Sequence, residues 1–86
     1  MFNTSKAIET ERDFPHIVEI AVPQNGLELR LSRKIVTFHS SHNIRPRYGR
    51  IRVQNNQYYF RWCFTDSAIA DIFRRLFAGE RVTNKP

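Results

Sequence analysis

The chain has 86 residues, a formal net charge of +6 and an aromatic content of 13%, which sets one small domain with no room for a second. A single cysteine, Cys63, excludes a disulfide scaffold and fits a reducing compartment, so a cytoplasmic protein is expected. No apolar run reaches the ~18 residues that span a bilayer, and the start MFNTSKAIETERDF lacks the apolar core of an export signal, so no membrane insertion is expected.

The charge is unevenly placed. Residues 1–28 carry Glu9, Glu11, Asp13, Glu19 and Glu28 against Lys6 and Arg12, a net −3. Residues 29–65 carry eight bases and no acid, and residues 66–86 carry four bases against three acids. The basic character therefore belongs to the middle of the chain.

Residues 1–15 read as a flexible polar arm. TSKAIETER admits a short helix capped at Thr4 or Ser5, but it has no apolar stripe to hold it against a core. Residues 16–80 read as one α+β domain and 81–86 as a loose tail.

HIVEIAVP alternates with Val18, Ile20 and Val22 on one face, and LELRL does so with Leu27, Leu29 and Leu31. Asn25-Gly26 between them predicts a hairpin in which Val22 faces Leu29 and Ile20 faces Leu31, because both turn residues tolerate positive φ. Residues 32–44 admit two readings. β-branching at Ile35, Val36 and Thr37 favours a strand. A helix capped by Ser32 would instead align Ile35, Phe38, His39 and His42, at the cost of Arg33 and Lys34 at its positive end. The strand is preferred.

HNIRPRYG reads as a loop broken by Pro46 and Gly49, delivering Arg45 and Arg47 to the next strand. RYGRIRVQNNQYYFRW then predicts a second hairpin about Asn55-Asn56, pairing Val53 with Tyr58, Arg52 with Tyr59, Ile51 with Phe60 and Arg50 with Arg61. Alternation puts Ile51, Val53, Tyr58, Phe60, Trp62 and Phe64 on one face. The other face takes Arg50, Arg52, Gln54, Gln57, Tyr59 and Arg61. FTDSAIADIFRRLFAG predicts an amphipathic helix capped by Thr65 or Asp66, stopped at Gly79, with a stripe of Ile69, Ile72, Phe73, Leu76 and Phe77. The fold class is α+β: a small antiparallel sheet of about four strands and two hairpins, with the C-terminal helix packed on one face.

The basic sheet face is the strongest functional signal. Like charges opposite one another in a strand pair cost roughly 0.2 to 1 kcal/mol, so Arg50 against Arg61 beside Arg52 suggests an anion above the sheet. Guanidinium forks bind phosphates, and Tyr59 offers a ring for base stacking. Arg45, Arg47, Arg50, Arg52, Tyr59 and Arg61 are therefore the candidate nucleic-acid-binding residues, for DNA or RNA. The competing readings are ordinary solvated arginines, a face covered by a second copy, or one covered by the acidic arm at residues 9–13.

The alternative function is a protein-interaction module or small regulatory inhibitor docking on an acidic or nucleic-acid-loaded partner. Lipid headgroups are a further option, and an exposed strand edge is compatible with a homodimer. Arg74 and Arg75 near a helix C-terminus complement its dipole and need no ligand. His39 and His42 with one cysteine do not make a zinc motif, so no metal or other cofactor is expected, and the histidines read as ordinary loop or pairing residues. Cys63 lacks the oxyanion loop and triad partners of a nucleophile, so no catalytic residue is assigned and no enzyme is expected.

Overall fold

The computed structural model describes residues 4–23 and 28–83. Three helices and four strands follow one another as α1 (Thr4–Asp13), β1 (His16–Val22), α2 (Leu29–Ser41), β2 (Arg52–Gln54), β3 (Gln57–Phe64), α3 (Ser67–Leu76) and β4 (Glu80–Val82). The sheet is antiparallel with strand order β2-β3-β1-β4. This is an α+β fold with the C-terminal helix on the sheet.

β1 is an inner strand, buried along most of its length, and its long partner is β3. Val18 faces Trp62, Ile20 faces Phe60 and Val22 faces Tyr58, the pairs of β-branched and aromatic residues that stabilise a ladder best. β4 takes the other edge of β1, with Ile17 opposite Val82 and Val18 opposite Arg81. The segment 80–82 is thus an edge strand, where a loose tail was expected from residue 81.

These pairings correct the first hairpin. Residues 29–31 belong to α2, and β3 and β4 take both edges of β1, so Leu29 and Leu31 have no place in the sheet. Its predicted turn, Asn25-Gly26, lies outside the described residues. The strand preference for 32–44 is also overturned. Leu31, Ile35 and Phe38 recur at helical spacing, and Ile35 and Phe38 are buried in the core with His39 between α2 and the sheet. Burying such a side chain is worth about 1.5–3 kcal/mol. That outweighs the ~0.3–1 kcal/mol cost of each exposed cation near a helix N-terminus, so the helix forms although its first turns hold Arg30, Arg33 and Lys34.

The second hairpin forms as predicted, with Val53 opposite Tyr58 and Arg52 opposite Tyr59. Asn55 and Asn56 both take positive φ, at 53° and 63°, as a type I′ turn requires. Beyond it the register changes: Tyr48 bridges Trp62, and Gly49 N–H donates to the Arg61 carbonyl at 3.0 Å. Three residues, 49–51, therefore oppose two, 60 and 61, which is the geometry of a bulge. The predicted Arg50 to Arg61 cross-strand pair does not form.

Asp66 caps α3, its carboxylate accepting from Ala68 and Ile69 N–H at 2.8 and 3.2 Å. Ala70 and Phe73 are the buried residues of α3, Ile69 and Phe77 pack at its flanks, and Ile72 and Leu76 point outward. The helix ends through Ala78 at φ 53°, one residue before the predicted stop. Gly79 serves packing instead. A Cβ there would stand 2.6 Å from Val18 Cγ1.

The core joins Val18, Ile20, Trp62 and Phe64 of the sheet to Ile35 and Phe38 of α2 and Ala70 and Phe73 of α3. Trp62 is a core residue, as its phase with Phe64 predicts, but Val53 and Tyr58 on the same face are exposed beyond the helices.

Candidate functional site

The sheet's opposite face carries the predicted arginines, and two carboxylates meet them there. Glu19 lies directly across the ladder from Arg61. Its carboxylate accepts from Arg61 Nε at 3.0 Å and from Arg52 Nε and Nη2 at 3.1 and 2.6 Å. Glu11 arrives from α1 and is fully buried. It accepts from Arg50 Nη2 and Arg61 Nη1, both at 2.9 Å, and from the Arg50 backbone N–H at 2.6 Å. The bulge frees that backbone N–H from the ladder, and Glu11 satisfies it.

Gly49 makes this approach possible. A Cβ there would lie 2.7 Å from Glu11 Oε2 and 2.9 Å from its Cγ. Burial alone would raise the carboxyls of Glu11 and Glu19. The hydrogen bonds from Arg50 to Glu11, and from Arg52 and Arg61 to Glu19, reverse this, and with the charges of the same arginines they hold both groups below the ordinary value.

The expectation of crowded guanidiniums without carboxylates is therefore corrected. Three cations share two anions, leaving a single excess charge, and the segment read as a loose arm is a helix docked by its own buried glutamate. Tyr59 has the Arg52 guanidinium over its ring at 4.0 Å, which occupies the face on which a base would stack. Arg52 also donates to Gln54. Arg45 and Arg47 stand apart from this network on the exposed loop, with the Arg47 guanidinium 5.0 Å from the Phe14 ring centroid.

Glu11 belongs to the acidic segment 9–13 that one competing reading set over this face, whereas Glu19 escaped the sequence reading. The available signal was the −3 of residues 1–28 set against the acid-free middle, but periodicity does not say which acid crosses to which base.

Cys63 faces the same side, opposite Ile17, and is buried. Desolvation, aided by the charge of Glu11 and opposed by Arg61, pushes its thiol up to about 12, so it is protonated at neutral pH and a poor nucleophile. His39 is a core residue, not a loop one: its Nδ1–H donates to the Ile35 carbonyl at 2.8 Å and its ring stacks on Phe64. Burial holds it below 6.5 in the neutral form. Nε2 of His39 and Nε1 of Trp62 are buried without a hydrogen-bond partner among the described residues. Among those residues, no group of three or more His, Cys, Asp or Glu side chains could hold a metal ion, and no helix is long and apolar enough to cross a membrane.

A second surface stands out once the sheet arginines are accounted for. Between α2 and the end of α3 runs an open groove of about 750 Å³. Its apolar lining comes from Leu29, Phe38, Leu76 and Phe77, and its polar lining from Arg30, Arg33, Lys34, Thr37, Ser41 and His42, with no acid among the described lining residues. Leu29 and Leu76 are 68% and 64% exposed and line this one groove, so they belong to a shared apolar patch. Glu28, at the N-cap position of α2, makes no side-chain capping bond, and its carboxylate offsets the positive end of the helix dipole.

No protein-family model, curated protein or solved structure matches this chain.

Proposed function

We propose that this protein is a non-enzymatic interaction module that docks on an acidic protein partner through the α2–α3 groove, in the reducing compartment its lone buried thiol suits. The observation that carries this reading is the conjunction of exposed Leu29 and Leu76 with the cations Arg30, Arg33 and Lys34, which the described residues do not neutralise. A purely phosphate-binding surface needs positive charge and hydrogen-bond donors but gains little from exposed leucines. A protein interface uses apolar contact for affinity and charge for orientation and encounter rate.

Nucleic-acid binding is the second reading, favoured by the exposed guanidinium of Arg45, which has no ion-pair partner among the described residues, and by Arg47 beside it. On this reading the footprint moves from the sheet face to that loop and α2, because Arg50, Arg52 and Arg61 already hold carboxylates.

The test compares the native chain with an Arg30→Gln/Arg33→Gln/Lys34→Gln variant. Cross-linking in nuclease-treated extract, with mass spectrometric mapping of linked residues, is expected to place acidic protein segments against α2 in the native chain and to lose them in the variant. Gel shifts with random duplex DNA and single-stranded RNA across a salt series test the second reading. Four duplex phosphate contacts would give a log-log salt slope near −3.6. Retention of such a slope, together with absence of nuclease-resistant cross-links on α2, would replace the protein-docking reading with the nucleic-acid one.

A further inference from the structure

We infer that the segment the groove accepts is an amphipathic α-helix, with its apolar stripe on Leu29, Leu76 and Phe77 and acidic residues along the edge that meets Arg30, Arg33 and Lys34. The inference rests on the protein-docking reading and specifies the conformation and charge of the bound segment.

Three features carry it. First, the groove walls are helices, α2 and the last turn of α3. Backbone groups inside a helix are already hydrogen-bonded, so these walls offer side chains and no ladder for an added strand. A segment seated there gains no backbone pairing from the walls, and an α-helix brings its N–H and C=O groups already paired within a single segment. Second, Leu29 and Leu76 are more than 60% exposed, whereas a small-ligand site encloses most of its guest. A longer occupant with repeated apolar contacts fits such an open surface better. Third, the charge is one-sided. All three charged side chains lining the groove are basic and lie on α2, while the α3 wall contributes Leu76 and Phe77. Complementarity therefore assigns acids to one edge of the bound helix and apolar residues to the stripe beside it.

The test is selection of a displayed library of random peptides of about 16 residues, long enough for four helical turns, against the full native chain. Counter-selection uses Leu29→Asp/Leu76→Asp, whose substituted side chains are exposed, with circular dichroism verifying the fold. Expected are enriched sequences with apolar residues at i, i+3 or i+4, and i+7, and with Asp or Glu on one flank. Synthetic copies should gain helicity on binding, shift amide resonances of α2 and the end of α3, and bind at least tenfold more weakly to the double variant. A central proline in the selected peptide should weaken binding by a similar factor.

Acidic peptides without helical periodicity that tolerate the proline, yet still need Arg30, Arg33 and Lys34, would overturn the helical occupant and leave the acidic-partner reading standing. If no peptide is enriched, or if enriched peptides bind both variants as well as the native chain, both fall. Preferential binding of an oligonucleotide or of anionic phosphatidylserine vesicles at this same groove overturns both as well.

Discussion

Replacing Glu11 by Gln should be the most damaging conservative change in this chain. The substitution keeps the shape but removes the anion that joins α1 to the bulge and to β3. Removing one partner of a buried ion pair costs about 3–5 kcal/mol, chiefly because the other charge is left uncompensated. Here the partners soften the loss unequally. The Arg50 side chain is 42% exposed and regains water, whereas Arg61 is 14% exposed but keeps Glu19. Against this softening, the amide sets its NH₂ donor against guanidinium donors, which keeps the loss from falling below the range. The low end of the range, about 3 kcal/mol, is therefore expected, a large share of the ~5–15 kcal/mol that holds a domain together. At 4–8 °C per kcal/mol for a domain of this size, the melting temperature should fall by about 12–24 °C. Urea and calorimetric unfolding of native and Glu11→Gln chains measure this, and a cycle with Arg61→Met should show coupling above about 1 kcal/mol. A loss below about 1 kcal/mol, or strict additivity, would refute the docking of α1 through a buried carboxylate.

Stability should also track pH in two steps. His39 is held below 6.5 in the folded chain, so as pH falls through 6.5 the unfolded chain takes up a proton first and stability declines until the lower folded value is reached. Glu11 and Glu19 are held below 4.5, so their contribution is present above 4.5 and is lost as pH falls through their depressed folded values. Urea midpoints from pH 8 to pH 3 should show both declines, with His39→Leu abolishing the upper one alone. Cys63 should resist iodoacetamide at pH 7.5 in the folded chain and react fully in urea, since its thiol is buried and raised to about 12; rapid native labelling would contradict its burial. Gly79→Ala should cost about 1–3 kcal/mol by driving a methyl into Val18. Ala78→Gly, one residue earlier, should change stability by less than about 1 kcal/mol, because relief of the left-handed strain at φ 53° offsets the added chain entropy.

Local chemistry in the sequence was enough to indicate the β2–β3 turn with its flanking pairs, a cap for α3 at Thr65 or Asp66, the inward placement of Trp62 and Phe64, and the α+β class. Each depends on residues a few positions apart: paired asparagines at positive φ, an acid before an apolar run, alternation along one strand. Two readings needed the tertiary structure. Residues 32–44 admit both a β-branched and a 3.6-residue pattern, and the helix prevails with Ile35, Phe38 and His39 buried while β3 and β4 take both edges of β1. The arginine face looked unneutralised because its carboxylates lie 39 and 50 residues away for Glu11, and 33 and 42 away for Glu19. Charge pairing at that separation is set by which helix lands on the sheet face, for Glu11, and which strands pair, for Glu19, and no periodicity along the chain encodes it. The groove between α2 and α3 has the same origin. Leu29 and Leu76 belong to different apolar patterns, and only the packing of their helices leaves both uncovered beside Arg30, Arg33 and Lys34.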